Sequence, residues 1–160
     1  MLYAIEIPSP VGTLYLGLTG SAVREIRFSP IPNGIPIPSG SPAQALSERL
    51  IEQLDAYFSG RLVAFDLPLD LVGTEYQMRV WNSLIEIPYG QTIRYAELAR
   101  RNGSGARAVG QAIHYNPISI IVPCHRVVGS DGALTGYAGG LPRKQWLLEH
   151  EQRRPVSHGH

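Results

Sequence analysis

At 160 residues, with 44% apolar and 17% charged side chains, the chain is long enough for one ordinary domain or two small ones and too apolar for wholesale disorder. Its single cysteine, Cys124, excludes an internal disulfide and gives no sign of an oxidising compartment. The formal charge of +1 hides an asymmetry: residues 1–74 hold four Lys/Arg against seven Asp/Glu, a net of −3, whereas residues 75–160 hold ten against six, a net of +4. A mildly basic second half favours a polyanionic partner, although scattered solvated charges would give the same count. The opening residues lack the basic and apolar regions of a signal peptide, and no apolar run approaches the roughly 18 residues a membrane span needs. These features lead to the expectation of a soluble cytoplasmic protein with no membrane association.

Three short strand-like runs come first: Tyr3 to Ile7, Thr13 to Leu18 and Val23 to Phe28, with Pro/Gly-rich turns between them. Short connections predict an antiparallel meander. Ser29 to Gly40 holds four prolines and two glycines and must be a loop. A helix should follow, with Ser41 as N-cap, Pro42 in the first turn and Gln44 closing a capping box. Leu46, Leu50, Leu54 and Tyr57 share one face, which should cover the sheet, and Gly60 ends the helix. Phe65 to Gly73 reads as an extended crossing segment.

Thr74 and Gln77 form a second capping box, opening a helix over 75–86 with an apolar stripe of Met78, Trp81, Leu84 and Ile85. Pro88-Tyr89-Gly90 stops it. A short helix at about 95–101, the turn Asn102-Gly103, and a helix at about 105–115 capped by Ser104 make a helix-turn-helix candidate. Two merely structural helices would read the same way. Ile118 to Val122 is strand-like or simply buried. Gly-rich segments flank Leu134 and Thr135. A last amphipathic helix, about 142–152, should pack Trp146, Leu147 and His150. The tail 153–160 is polar, and its His158 and His160 are too sparse to argue for a metal site.

Cys124 stands in Ile120-Ile121-Val122-Pro123-Cys124-His125-Arg126-Val127-Val128. A lone cysteine in an apolar run is usually inert core. Here, however, a histidine and an arginine follow it directly, and a thiol becomes a useful nucleophile only when such neighbours favour its thiolate.

The wider pattern is specific. Gln77-x-x-Val80-Trp81, Ile87-Pro88-Tyr89-Gly90-x-Thr92, Tyr95-x-x-Leu98-Ala99 and Ala106-Arg107-Ala108-Val109-Gly110 precede the cysteine in order. Asn116-Pro117 and Pro123-Cys124-His125-Arg126-Val127-Val128 come next, then Gly136-Tyr137-x-Gly139-Gly140 and Lys144-x-x-Leu147-Leu148-x-x-Glu151. Together they resemble the O6-alkylguanine-DNA alkyltransferases, the suicidal methylated-DNA–protein-cysteine methyltransferases, strongly over about 74–151 and only in general character before that. The resemblance implies an α+β protein. Residues 1–73 would be a ribonuclease H-like domain with a small antiparallel sheet and a helix. Residues 74–152 would be a winged helix-turn-helix alkyltransferase domain.

The resemblance also implies roles. Cys124 would accept the alkyl group, His125 would take its proton through a water, and Glu151 would orient His125 and support its charge. Without the resemblance, Glu151 would read as a solvated helix-end residue. The alkylated O6 lies in the base stack, so the nucleotide must be flipped out. Helix 105–115 would bind the minor groove of double-stranded DNA, with Arg107 filling the vacated space and Ala106, Ala108 and Gly110 allowing close approach. A phosphate contact or a surface ion pair is the plainer reading of Arg107. Tyr95 would hydrogen-bond or protonate guanine N3 at the DNA interface, and a packing tyrosine is its plainer reading. Asn116 would be a hinge. Pro117 and Val127 would line the pocket, and Tyr137, Ala138, Gly139 and Gly140 would form its guanine-binding loop. Arg126 would tie elements together.

The chain departs from many relatives in four places: the shortened turn at Asn102 to Gly105, Arg94 in place of a capping serine, Ala138 in place of serine, and His114-Tyr115 in place of Arg-Gly. These bear on substrate size and DNA affinity. The cysteine and histidine pairs that bind zinc in some relatives are absent, so no metal and no cofactor is expected. The expected partner is duplex DNA carrying O6-alkylguanine, with O4-alkylthymine a further candidate lesion, and the expected state is a monomer. An alkyltransferase-like lesion binder is the alternative, but such proteins usually carry tryptophan in place of the cysteine. A winged-helix regulator with a structural cysteine would leave Pro123 to Arg126, Tyr137-x-Gly139-Gly140 and Glu151 unexplained, and a cysteine hydrolase would not explain a DNA-binding helix beside the nucleophile.

Overall fold

Leu14, Leu16 and Leu18 alternate along one short strand and are all fully buried, which is the pattern of a strand with one face on a core. The computed structural model, which describes residues 2–132 and 136–153, pairs that strand on both sides. β1 (Tyr3–Ile7), β2 (Leu14–Leu18) and β3 (Val23–Arg27) form an antiparallel meander in the order β1-β2-β3. Both sheet edges are closed by single parallel bridges, Tyr3 with Ile35 and Val23 with Leu69. The proline-rich loop and the crossing segment thus each donate backbone partners to an edge that would otherwise be open.

α1 (Pro42–Phe58) packs on β2 through Leu46, Leu50, Leu54 and Tyr57, all buried. Its N-cap is Ser41, whose hydroxyl accepts from the Gln44 N–H. The expected capping box does not close: Gln44 Oε1 accepts instead from the Gly40 N–H, because the Ser41 N–H already donates to Pro38. At the far end Gly60, at φ +79°, lets Arg61 N–H reach the Ala56 carbonyl, so the helix stops there.

The chain divides into two compact units, Met1–Leu71 in the first and Val72–Gln152 in the second. The second opens with α2 (Glu75–Ile85), whose Thr74–Gln77 capping box is complete. Its buried residues are Val80, Trp81 and Leu84; Met78 is half-buried and Ile85 is exposed, so the stripe turns one residue away from the expected one. Trp81 explains the turn: its indole N–H donates 2.8 Å to the Ala112 carbonyl, fixing which face meets the next helices. β4 (Ile93–Arg94) leads into α3 (Tyr95–Arg101), and α4 (Ala106–His114) packs against both α3 and α2. Gly105, not Ser104, is the N-cap of α4. The Ser104 hydroxyl is engaged 2.5 Å from Tyr76 Oη, so no side-chain cap forms.

Ile118 to Val122 is not a strand. Ile118 is a lone bridge residue, followed by turns from Ser119 to Ile121 and a bend at Val122, with four of the five residues buried. Ile120 adopts φ +75°, a region that β-branched residues rarely enter. A 3₁₀ turn (Cys124–Arg126) then feeds β5 (Val127–Val128), which pairs parallel to β4. α5 (Leu141–Gln152) closes the unit against the cysteine turn. It buries Lys144, Leu147, His150 and Glu151, while Trp146 is half-buried and stacks on His150. Leu134, Thr135 and the tail beyond Arg153, including His158 and His160, lie outside the described residues. No described helix is long and apolar enough to cross a membrane.

Candidate active site

The 3₁₀ turn puts Cys124, His125 and Arg126 on consecutive buried positions, 2%, 0% and 7% exposed. α5 brings Glu151 to them from 25 and 26 residues away. Glu151 Oε2 lies 2.7 Å from His125 Nε2, and Arg126 donates to both carboxylate oxygens, at 2.8 and 3.1 Å. A carboxylate can only accept, so His125 carries its hydrogen on Nε2 and presents a lone pair at Nδ1. Nδ1 is buried and has no hydrogen-bond partner among the described residues. Burial holds the imidazole below its ordinary range and favours the neutral base, with Glu151 opposing. Burial also works against the Glu151 carboxylate, but His125 and Arg126 together hold its pKa well below the usual carboxylate range.

Cys124 is the electrostatic opposite. Burial pushes its thiol up to about 11, and a hydrogen bond from Asn116 and the charge of Lys144 pull back against that. Asn116 is well held for the task. Its Nδ2 donates 2.9 Å to the Val122 carbonyl and its Oδ1 accepts from the Ile118 N–H at 3.0 Å. It therefore spans the turns between the end of α4 and the cysteine. Lys144 is fully buried, donates 2.5 Å to the Val127 carbonyl, and lies 5.8 Å from the centre of the Tyr95 ring. Sequence reasoning quoted Lys144 only as part of a motif. Its signal was present: Lys144, Leu147 and Glu151 follow i, i+3, i+7 spacing and share the buried face of α5.

A cleft of about 560 Å³ opens beside this group, walled by Tyr95, Gly110, Ile113, His114, Gly136, Tyr137 and Ala138. Of the expected pocket residues, Tyr137 and Ala138 line it. Pro117, Val127, Gly139 and Gly140 do not, and Val127 is fully buried beneath the cysteine turn. Tyr137 connects cleft and nucleophile: burial, with Cys124 close by, raises its phenol well above 10. Tyr95 Oη reaches the Gly136 carbonyl at 3.4 Å across the cleft mouth. His114, noted in the sequence only for its bulk, is a wall of the cleft.

On α4, Ala106, Arg107 and Ala108 are exposed together, and Gly110 is half-buried at the cleft edge. The helix thus offers a small-residue surface bearing one cation next to the opening. A polyanion could lie along it while one of its groups enters the cleft toward a buried thiol with a neutral base at hand.

Comparison with known proteins points to one family. A family profile described as the 6-O-methylguanine DNA methyltransferase DNA binding domain matches residues 75–153, and one described as the ribonuclease-like domain matches residues 1–71. The methylated-DNA–protein-cysteine methyltransferase of Mycobacterium bovis is 46% identical over 156 residues, 96% of this chain and 94% of that protein. The Mycobacterium leprae protein of the same name is 46% identical over 164 residues, 98% and 96% of the two chains. Among solved structures, Mycobacterium tuberculosis OGT in complex with DNA superposes with a TM-score of 0.85 at 46% identity, covering 96% of each chain.

Proposed function

The chain belongs to the 6-O-methylguanine DNA methyltransferase family, and from that footing we propose that it repairs DNA directly, moving the alkyl group of O6-alkylguanine onto Cys124 once and irreversibly. The observation that carries this reading is a buried thiol followed directly by a buried histidine whose Nε2 is committed to Glu151 at 2.7 Å and whose Nδ1 has no partner among the described residues. The Cys124 proton passes to His125 Nδ1 by way of a water. The thiolate attacks the alkyl carbon, a carbon–sulfur bond forms, and the carbon–O6 bond breaks. The departing guanine gains electrons and takes a proton at N3 from Tyr95. Asn116 supports the thiolate with its side-chain N–H.

The substrate is duplex DNA carrying the lesion, with O4-alkylthymine as a second candidate. The nucleotide is flipped out because a thiolate cannot line up behind the alkyl carbon within the stack. Arg107 takes the vacated space, and Ala106, Ala108 and Gly110 allow α4 to sit close to the backbone. Tyr137 and Ala138 hold the base, with Gly139, Gly140, Pro117 and Val127 shaping the loop and floor behind it. Residues 1–73 form the ribonuclease-like domain and 74–152 the reactive DNA-binding domain of a cytoplasmic monomer. The presence of Cys124 speaks against a lesion binder without chemistry.

A thioether has no leaving group that water or a cellular thiol displaces, so the protein is consumed. Intact-protein mass spectrometry after incubation with an O6-methylguanine duplex should show one added methyl per chain, on Cys124. Turnover beyond one equivalent, or methyl uptake by Cys124→Ser, would sink the reading.

A further inference from the structure

The run Ile87-Pro88-Tyr89-Gly90 has no side chain with an obvious chemical task, yet its groups converge on one ion pair. Arg126 Nη1 donates to the Ile87 carbonyl, and the guanidinium lies 5.8 Å from the centre of the Tyr89 ring. The Gly90 N–H donates 3.3 Å to Glu151 Oε1, and Gln152 Nε2 donates 2.8 Å to the Gly90 carbonyl. Gly90 has φ +79°, and a Cβ there would stand 3.1 Å from the Glu151 carbonyl oxygen, so any other residue would be both strained and crowded. Arg126 meanwhile holds Glu151 through two parallel bonds, Nε to Oε1 and Nη2 to Oε2. Such a fork fixes the plane of a carboxylate as well as its position. Oε2 is thereby turned toward His125 Nε2.

We propose that Arg126, seated on the Ile87–Gly90 segment, is a positioning residue for alkyl transfer: it locks Glu151 so that His125 is held as the Nε2–H tautomer with Nδ1 free to accept the Cys124 proton. The proposal rests on His125 being the base for Cys124. The charges around the imidazole are consistent with it. Glu151 favours an extra proton on the ring, while burial, Arg126 and Lys144 disfavour it, so a carboxylate already matched to Arg126 orients the ring without charging it.

Two substitutions separate the parts of this arrangement. Arg126→Met removes charge and fork at similar length, and Arg126→Lys keeps the charge but loses the fork. Nitrogen-15 NMR of the imidazole at neutral pH reads the tautomer, and single-turnover transfer from an O6-methylguanine duplex reads the chemistry. Wild type should show the Nε2–H form. Arg126→Met should lose it, to the Nδ1–H form or to imidazolium, and transfer should slow by about tenfold or more, with Arg126→Lys in between. Added to Glu151→Gln, Arg126→Met should slow transfer by no more than about twofold further, because both act through one carboxylate. An Nδ1–H tautomer in wild type, an unchanged tautomer in Arg126→Met, or a full second loss on top of Glu151→Gln would overturn the proposal. Should Arg126→Met not fold, Arg126→Lys is judged by the same tautomer and cycle criteria. Absence of methyl uptake by wild type would refute the assigned reaction itself. Normal wild-type uptake with an insensitive variant refutes only the role of Arg126.

Discussion

Glutamine at position 151 keeps the shape of the glutamate and removes its charge, so Glu151→Gln probes the site with little change in packing. The carboxylate accepts from His125, twice from Arg126, and from the Gly90 N–H. An amide turns one of its two ends into a donor facing donors. The imidazole can relieve the clash by moving its hydrogen to Nδ1, the very atom that must accept from Cys124. The expected loss in single-turnover rate is on the order of 10²–10⁴, the range for a positioned general base. Arg126, with its side chain only 8% exposed, loses its counter-charge, and stability should drop by about 3–5 kcal/mol, the cost of breaking a buried pair from one side.

The pH dependence of Glu151→Gln has a definite sign. The folded Glu151 carboxyl lies well below its ordinary 4.5, so its stabilisation is complete above that value and is lost as pH falls toward the folded one. The variant lacks this acid limb, and its urea midpoint should vary less than that of wild type below about pH 5. Quenched time courses read by mass spectrometry give the rate. Urea titrations across pH give the stability, and circular dichroism confirms that the variant is folded in the assay. Affinity for undamaged duplex should stay within about twofold of wild type, since Glu151 is remote from phosphate contacts in this assignment. A folded variant that transfers methyl at the wild-type rate would mean that Cys124 is activated without His125 and Glu151.

Arg107→Ala should slow repair of duplex lesions far more than reaction with a free O6-alkylguanine base, because only the duplex requires flipping; equal losses on both substrates would assign Arg107 to the fold. Wild-type duplex affinity should also fall as salt rises, and salt-independent binding would contradict the α4 surface. Lys144→Met removes a cation that lowers the Cys124 thiol, so the pH midpoint for its alkylation by a small electrophile should move up. Each unit of that movement corresponds to about tenfold less thiolate at neutral pH. An unmoved midpoint would confine Lys144 to packing.

The local signals of this sequence were legible where they are decided within a few residues. Ser41 and Pro42, the Thr74–Gln77 box, the meander and Gly60 all act over one turn of chain, and the fold respects them. Legibility failed where a side chain had a competing partner. Gln44 was drawn to Gly40, Ser104 to Tyr76, and the stripe on α2 was rotated by the Trp81 bond to Ala112. At the site, the motif residues announced a nucleophile and a base, and Glu151 followed from resemblance alone. The fork from Arg126 and the backbone of Ile87 to Gly90 could not be read, because backbone donors and carbonyls carry no letter in a sequence. Lys144 was hidden for the opposite reason: lysine is rarely buried, so a lysine on an apolar helix face invites dismissal as a surface residue.

Ile120 has a consequence for how often the cysteine segment opens. Its left-handed backbone costs about 1–3 kcal/mol, while burying an isoleucine side chain to 1% exposure returns about 1.5–3 kcal/mol. The two nearly cancel. The turn is therefore a spring held shut by a plug: while the side chain is seated the segment is rigid, and once it leaves, the backbone has reason not to return. Local unfolding between Asn116 and Cys124 then becomes a single event, with the amides of Ile121, Val122 and Cys124, each bonded within the segment, exchanging with solvent together. A nucleophile that works once gains from such all-or-none behaviour, because between lesions the segment that carries Cys124 keeps one conformation.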